Sequence, residues 1–184
     1  MVALIFLLLI TILAVAASGN SLLQLRLAGG LRSSQLADFG AESALRGAEW
    51  RLWTATGTSN LIACTTSGPL CYSYDASQPN ATVETFRNSK GWVSAGSTTY
   101  AAGTLTASSA DKTFQLSKDP VYIIEDLGLE LPPGIGTQHE SGQSSSGAGN
   151  TGTDSHVYRV TARSTGPNPN TVRVIETTFA AKVN

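Results

Sequence analysis

The feature that most constrains this chain is the apolar stretch at its start. Met1 to Ala17 are apolar except for Thr11, and the first ionised side chain is Arg26. A helix of that length, at about 1.5 Å per residue, is just long enough to cross the hydrocarbon core of a membrane. Helix-forming residues then continue without a proline to about Trp53. We therefore predict one rod, about 80 Å long, apolar for its first third and amphipathic after that, with a head domain at its far end.

Two other kinds of apolar N-terminal segment are alternatives to the rod. A cleaved secretory signal carries a basic region and opens into a turn-rich mature start, whereas here the basic region is missing and the helical composition continues past Ala17. A simple single-pass anchor for an external domain is the second alternative. It does not explain why the helical composition reaches Trp53.

Composition limits the compartment and the partners. The net charge is −1 and basic clusters are absent, which argues against nucleic acid as a partner. Charged residues make up only 14 %, and Gly, Ser, Thr and Asn are abundant after residue 54, a composition that suits an extracellular surface better than a cytosolic enzyme.

Two cysteines, Cys64 and Cys71, follow the predicted membrane segment. The compartment beyond such a segment is oxidising, so we predict a local disulfide between them. It would close a small loop and stabilise the fold by about 2–3 kcal/mol in the loop-entropy account. A metal site would need further ligands nearby, and we predict none.

The second half of the rod has three distinct faces. At about 100° per residue, one continuous face carries small side chains, which would let another layer of structure approach the helix closely. A polar face beside it pairs Glu42 with Arg46 at i,i+4. Phe39, Trp50 and Trp53 form an aromatic strip, which we expect to pack under the following loop rather than to bind a ligand. The residues predicted to pack the helix onto a sheet are Ala37, Gly40, Ala41, Ala44, Ala48 and Leu52.

The remaining sequence predicts a β-rich head. Three segments read as strands, at 121–127, 157–163 and 171–180, and the glycine, proline and asparagine residues at 166–170 predict a hairpin loop between the last two. Weaker strand signals lie at 83–86 and 91–93. The Asn80-Ala81-Thr82 pattern matches a glycosylation acceptor, a match attributed to chance. Residues 141–155 form a Ser/Gly-rich tract, predicted to be a flexible insertion.

These patterns predict an α+β fold in which a long N-terminal helix packs on an antiparallel sheet. Residues 1–28 would form the hydrophobic membrane helix and residues 29–184 the head. Within the head we expect the amphipathic helix half at 29–54, a turn-rich connection at 55–115 and the sheet at 116–184.

Catalytic chemistry is not indicated. His139 and His156 flank the Ser/Gly tract, and with Glu140 and Asp154 they have the residue types of a metal site, but their spacing fits no ligand pattern. A nucleophile motif, a phosphate-binding glycine loop and a cofactor fingerprint are all missing. We predict a protein that is not an enzyme and has no cofactor.

The chain resembles the PilX family of minor pilins in type IV pili. The resemblance rests on the N-terminal run 2–32, on the Ala-Glu-Ser-Ala-Leu-Arg-Gly-Ala-Glu segment at 41–49, and on strand sequences at 121–128 and 157–163 with the last strand. It covers about half of the chain. It implies a pilin fold and a subunit that initiates pilus assembly and sits at or near the filament tip.

The resemblance also implies partners and locations. The partners would be other minor pilins, the major pilin and a PilY-type tip adhesin. Before assembly the chain would span the bacterial inner membrane with its head in the periplasm, and afterwards it would lie at the extracellular pilus tip. The alternatives are a type II secretion pseudopilin, which shares the rod and the tip position, and a membrane-anchored surface-binding module.

Further expectations concern the helix itself. The resemblance implies cleavage of a short leader and N-methylation, with Met1 as the new terminus. The apolar helix would mediate assembly by leaving lipid and entering a helical bundle, through residues including Ile5, Leu8, Leu9 and Leu13. Ordinary pilins carry glutamate at position 5. Isoleucine at that position predicts a subunit present in few copies at the tip.

Overall fold

The computed structural model describes residues 2–56, 64–65, 70–101, 115–130 and 155–182. Two helices and five strands follow one another along the chain. Their bounds are α1 Val2–Thr56, β1 Tyr72–Ser73, α2 Ala81–Asn88, β2 Thr98–Thr99, β3 Val121–Glu130, β4 Ser155–Thr165 and β5 Val172–Lys182.

Helix α1 is continuous over 55 residues. Thr11 and Ser18, in its apolar part, donate their hydroxyls back to the carbonyls of Leu8 (2.8 Å) and Ala14 (2.9 Å). Neither hydroxyl is therefore left without a partner in an apolar environment. The helix ends at Thr56, three residues beyond the predicted end at about Trp53.

The long strands β3, β4 and β5 form an antiparallel sheet, and β1 and β2 both pair with the other edge of β3. A long helix on a sheet is the predicted α+β class, which is confirmed. The sheet is mixed rather than wholly antiparallel, because β1 runs parallel to β3 with Tyr72 opposite Glu125. A strand of two residues gives little sequence signal, so neither β1 nor its direction was predicted.

One face of the sheet carries α1. A cluster of buried side chains joins Ala44, Ala48 and Leu52 of the helix to Tyr122, Ile124, Tyr158 and Val160 of the sheet. The helix approaches the rest of the head closely at two of its glycines, Gly40 and Gly47. A Cβ at Gly40 would clash with Ser164, and a Cβ at Gly47 would clash with the ring of Tyr100.

The opposite face carries a second, smaller layer built on α2. Val83 and Phe86 of this helix pack on Val121 and Ile123, with Trp92 and Val93 at the margin of the cluster. The predictions of strands at 83–86 and 91–93 are therefore wrong. Apolar residues three apart match a helical turn, and the β-prone residue types there misled the prediction.

Asn80 begins α2. Its side-chain oxygen accepts hydrogen bonds from the amides of Thr82 (2.9 Å) and Val83 (3.4 Å). This satisfies two of the amides that a helix start leaves without partners. The Asn-Ala-Thr pattern thus has a local structural reason.

The predicted Ser/Gly insertion at 141–155 lies outside the described residues, except that Ser155 begins β4. The two strands on either side of it are longer than predicted. β3 continues to Glu130, past a bulge between Asp126 and Gly128, and Gly128 has a φ of 104°.

Candidate assembly surface

The apolar third of α1 makes no packing contact that buries it within the chain. Every side chain from Val2 to Arg32 is exposed. The predicted assembly residues lie in this segment, with exposed fractions of 58 % for Ile5, 60 % for Leu8, 51 % for Leu9 and 68 % for Leu13. By length and composition, α1 is able to cross a membrane. Met1 lies outside the described residues.

The small-residue face of α1 is occupied by the chain's own sheet. Ala37, Ala41, Ala44 and Ala48 are fully buried and Leu52 is 1 % exposed. Gly40 is buried with them. This face is therefore unavailable to another subunit. Its packing on the sheet also determines which sides of the helix face outward.

Polar contacts hold the same orientation. Arg173 on β5 donates to the hydroxyl of Ser34 and lies 3.4 Å from a carboxylate oxygen of Asp38. Near the other end, Arg51 donates to the hydroxyl of Tyr122 at 3.3 Å. These hydrogen bonds thus attach α1 to the head near both ends of the region where the helix packs on the sheet.

The aromatic strip lies on the outward side of α1. Phe39, Trp50 and Trp53 are 63 %, 68 % and 66 % exposed. The prediction that they pack under the following loop is wrong, because the helix turns this face away from the sheet. Viewed down the helix axis, with about 100° between successive residues, the three side chains lie within about 60° of one another. Large exposed apolar side chains along one side of a helix are candidates for a protein–protein contact.

The disulfide predicted between Cys64 and Cys71 is confirmed. Cys71 is fully buried beside the core of the helix–sheet layer. Backbone hydrogen bonds support the same loop, from the Thr65 amide to the Cys71 carbonyl (3.1 Å) and from the Ser73 amide to the Thr65 carbonyl (3.2 Å). The loop therefore fixes Cys64 beside the first strand of the sheet.

A polar cavity of about 120 Å³ lies between β1, α2 and β4. Both arginines that line it form ion pairs with carboxylates of the chain. Arg159 donates to Glu125 at 2.7 Å, and this hydrogen bond to the Glu125 carboxylate is the main reason that the pKa of Arg159 is raised. Arg87 at the edge of the cavity donates through two nitrogens to Glu176, at 2.7 and 2.9 Å. Both arginines of the cavity are therefore engaged in ion pairs within the chain.

His156 lies against Asp126, with Nδ1 at 3.0 and 3.1 Å from the two carboxylate oxygens. The Gly128 amide donates to the same carboxylate at 2.9 Å. His139, Glu140 and Asp154 lie outside the described residues. Within the residues that the structure does describe, no three His, Cys, Asp or Glu side chains are grouped so as to hold a metal ion.

The most buried charge in the head was missed by sequence reasoning. Arg163 is fully buried under α2. It donates to the carbonyls of Phe86 and Gly91, and to that of Ser89 at 2.9 Å. The alternation along β4 puts Arg163 on the face opposite Tyr158, Val160 and Ala162, where a charged side chain is expected to meet solvent. The covering layer was not evident because α2 itself was not recognised.

Comparison with known proteins supports the pilus assignment. The family model for the PilX N-terminal region matches residues 1–46, and the model for the C-terminal region of the type IV pilus assembly protein PilX matches residues 52–181. No curated protein and no solved structure gives a significant match. The two family matches together span nearly the whole chain, helix and head alike. The chain therefore belongs to the PilX family of type IV pilus assembly proteins.

Proposed function

We propose that this chain is a minor pilin that promotes initiation of a type IV pilus and sits at or near the filament tip. The observation that carries the proposal is the exposed apolar third of α1, continuous with a helix half that packs on the sheet of the head. A rigid connection of this kind lets the head be positioned by the packing of the helix.

The energetics of assembly follow from the exposed apolar surface. In the membrane the side chains of residues 2–25 contact lipid, and in a filament they would contact equivalent side chains of neighbouring helices. Lipid tails are as apolar as leucine, so the exchange costs little solvation energy. Packing and shape, rather than a hydrophobic gain, then determine which helices associate.

The aromatic strip extends this surface beyond the membrane segment. Because the sheet covers the opposite side of α1, the rings of Phe39, Trp50 and Trp53 face the direction from which a neighbouring subunit's helix would approach. Outside the membrane segment these rings would otherwise contact water. Burying them against a neighbour is favourable because each ring removes a large apolar area from water. We assign the apolar segment and the strip together as the assembly surface.

The proposed partners are other minor pilins, the major pilin and a PilY-type tip adhesin that the complex would help to display. Before assembly the helix would anchor the chain in the bacterial inner membrane, with its head in the periplasm. The alternative of a type II secretion pseudopilin is less well supported, because the matching family models describe type IV pilus assembly proteins.

Two measurements test the proposal. Deleting the gene should greatly reduce the number of surface pili, and expression of the full chain should restore it. Immunogold labelling of sheared pili with an antibody to the head should mark filament ends. Regular labelling along the shaft would overturn tip placement, and normal piliation of the deletion strain would overturn the role in initiation. Normal piliation combined with loss of adhesion to a surface would instead favour a surface-binding module.

A further inference from the structure

A short exposed segment of α1 separates the apolar third of the helix from the head. This segment, residues 26–32, is called the collar here, and it carries two charges, Arg26 and Arg32. All of its side chains are exposed. The head lies against the helix from Ser33, whose carbonyl is close to Gly166 in the loop between β4 and β5. The collar is therefore neither part of the apolar segment nor covered by the head.

The length of the apolar segment places the collar at the surface of a membrane. Val2 to Leu25 contain no charged residue, and a helix of this length is about 36 Å long. The hydrocarbon core of a membrane is about 30 Å thick, and the headgroups add about 5–8 Å on each side. With Val2 at one boundary of the core, Arg26 lies among the headgroups on the other side.

The charge of Arg26 is not used within the part of the chain that the structure describes. Its side chain makes no hydrogen bond and no ion pair with another described residue. The first carboxylate along α1 is Asp38, about 18 Å further along the helix axis, and it lies 3.4 Å from Arg173. The N–H donors of the Arg26 guanidinium are thus available to a ligand outside the chain.

The chemistry of this side chain and its depth select a phosphate as the ligand. A guanidinium group binds a phosphate through two parallel hydrogen bonds, a geometry that an ammonium group does not offer. At the depth of the headgroups, this acceptor is the phosphodiester of a lipid. The apolar stem of an arginine can lie along the hydrocarbon boundary while its charged end reaches the phosphates. An anionic lipid is favoured over a zwitterionic one, whose own cation lies beside its phosphate.

We propose that the collar binds the phosphate groups of anionic lipids, with Arg26 in contact with the phosphate and Arg32 adding a second positive charge closer to the head. Binding would fix the depth of α1 in the membrane before assembly and hold the head about 10 Å from the level of Arg26. The proposal rests on the membrane anchoring in the proposed function. It does not depend on the position of the chain in a pilus.

Two measurements on the full chain test the proposal. In the first, the chain is reconstituted with vesicles of phosphatidylcholine, and it should float with them if α1 is anchored. In the second, the chain in detergent is mixed with equal amounts of phosphatidylglycerol and phosphatidylcholine, and the retained lipids are measured by native mass spectrometry. We expect about fivefold more phosphatidylglycerol than phosphatidylcholine, the effect of one basic residue at an anionic surface.

A matched pair of variants identifies the residue responsible. Arg26→Gln should reduce the retained phosphatidylglycerol by about fivefold. Arg46→Gln makes the same change at another exposed arginine of α1, about 30 Å further along the helix and paired with Glu42, and should leave lipid binding unchanged. Both variants should melt like the native chain, because neither arginine is buried. Arg26→Lys, which keeps the charge but loses the paired donors, should retain an intermediate amount.

The outcomes separate the ways in which the proposal can fail. A chain that does not float with vesicles would overturn the membrane anchoring in the proposed function and the lipid site together. Flotation with equal retention of the two lipids, or with equal binding by Arg26→Gln and Arg46→Gln, would overturn the lipid site alone. Displacement of phosphatidylglycerol by an excess of inorganic phosphate would identify free phosphate as the ligand and overturn the assignment to a lipid.

Discussion

The guanidinium of Arg163 lies over the ring of Phe86, 5.2 Å from its centroid, and donates a hydrogen bond to the Phe86 carbonyl. It also donates to the carbonyls of Ser89 and Gly91, just beyond α2. The last carbonyls of a helix lack partners within the helix and carry partial negative charge. Burial lowers the pKa of Arg163, yet arginine remains charged. One buried cation thus attaches the second layer of the head to the sheet.

Replacing Arg163 with methionine should destabilise the head by about 2–4 kcal/mol, because buried carbonyls lose their donors. Urea unfolding of the full chain in detergent measures the change. Arg46→Met is the control, since the exposed pair of Arg46 with Glu42 should contribute less than about 1 kcal/mol. Similar small losses in both variants would show that Arg163 does not hold the layer in place.

Arg163 also shows why part of the head could not be predicted. The alternating pattern of β4 correctly assigns its residues to the two faces of the sheet. The small-residue pattern of α1 identifies the side of the helix that packs on one of these faces. Whether the other face is covered depends on α2, which has eight residues. In so short a segment the β propensities of Val83 and Phe86 outweigh the helix-start signal of Asn80 in a sequence-based prediction.

The small-residue face gives a direct packing prediction. Ala44 is fully buried between α1 and the sheet, so Ala44→Leu should cost about 1–3 kcal/mol by overpacking. Gln35→Leu adds a leucine to the exposed side of the same helix and should change the unfolding free energy by about 0.5 kcal/mol or less. Thermal melts of both variants in detergent make the comparison. Equal melting temperatures would contradict the close approach of helix and sheet.

Removal of the apolar segment should leave a folded head. Residues 2–32 are exposed throughout, and the first fully buried residue of α1 is Ala37. Deleting residues 1–28 therefore removes no contact that buries the core, and the remaining chain should be soluble and unfold cooperatively by circular dichroism. An aggregated product without a cooperative transition would show that the head depends on the rod.

Lowering the pH should weaken the ion pair between Glu176 and Arg87. Burial alone would raise the pKa of Glu176, but Arg87, Thr161 and Arg159 stabilise the carboxylate and hold its pKa below the ordinary 4.5. Because the pKa of Glu176 is lower in the folded state than in the unfolded state, the ion pair stabilises the fold at pH values above the unfolded-state pKa. This stabilisation is lost as the pH falls through the folded-state pKa. The stability difference between the native chain and Glu176→Gln should therefore be larger at about pH 6.5 than at about pH 3.

Urea midpoints at both pH values measure this difference. Glu84→Gln is a suitable control, because Glu84 is an exposed carboxylate on α2, the helix that also carries Arg87. A stability difference for Glu176→Gln that is the same at both pH values would show that the pair with Arg87 contributes nothing to folding.

For the assembly surface, the sequence predicts the apolar segment but not the exposure of the aromatic strip. The exposed apolar segment follows from composition alone, since no charged residue precedes Arg26. The sequence instead predicts that the strip packs within the chain, because large aromatic side chains are more often buried than exposed. Its exposure became evident only when the sheet was seen to occupy the opposite side of α1.

The strip also gives the sharpest test of the assembly surface. Phe39→Ser and Trp50→Ser change side chains that are 63 % and 68 % exposed, so each should alter the unfolding free energy by about 0.5 kcal/mol or less. If the rings contact a neighbouring subunit, each variant should nevertheless reduce the chain in sheared pili by about tenfold, the effect of losing an aromatic contact at an interface. Leu52→Ala is the contrasting variant, since Leu52 is 1 % exposed and its truncation should cost about 2–5 kcal/mol of stability. Normal pilus incorporation of both serine variants, with unchanged melts, would remove the strip from the assembly surface and leave the apolar segment alone in that role.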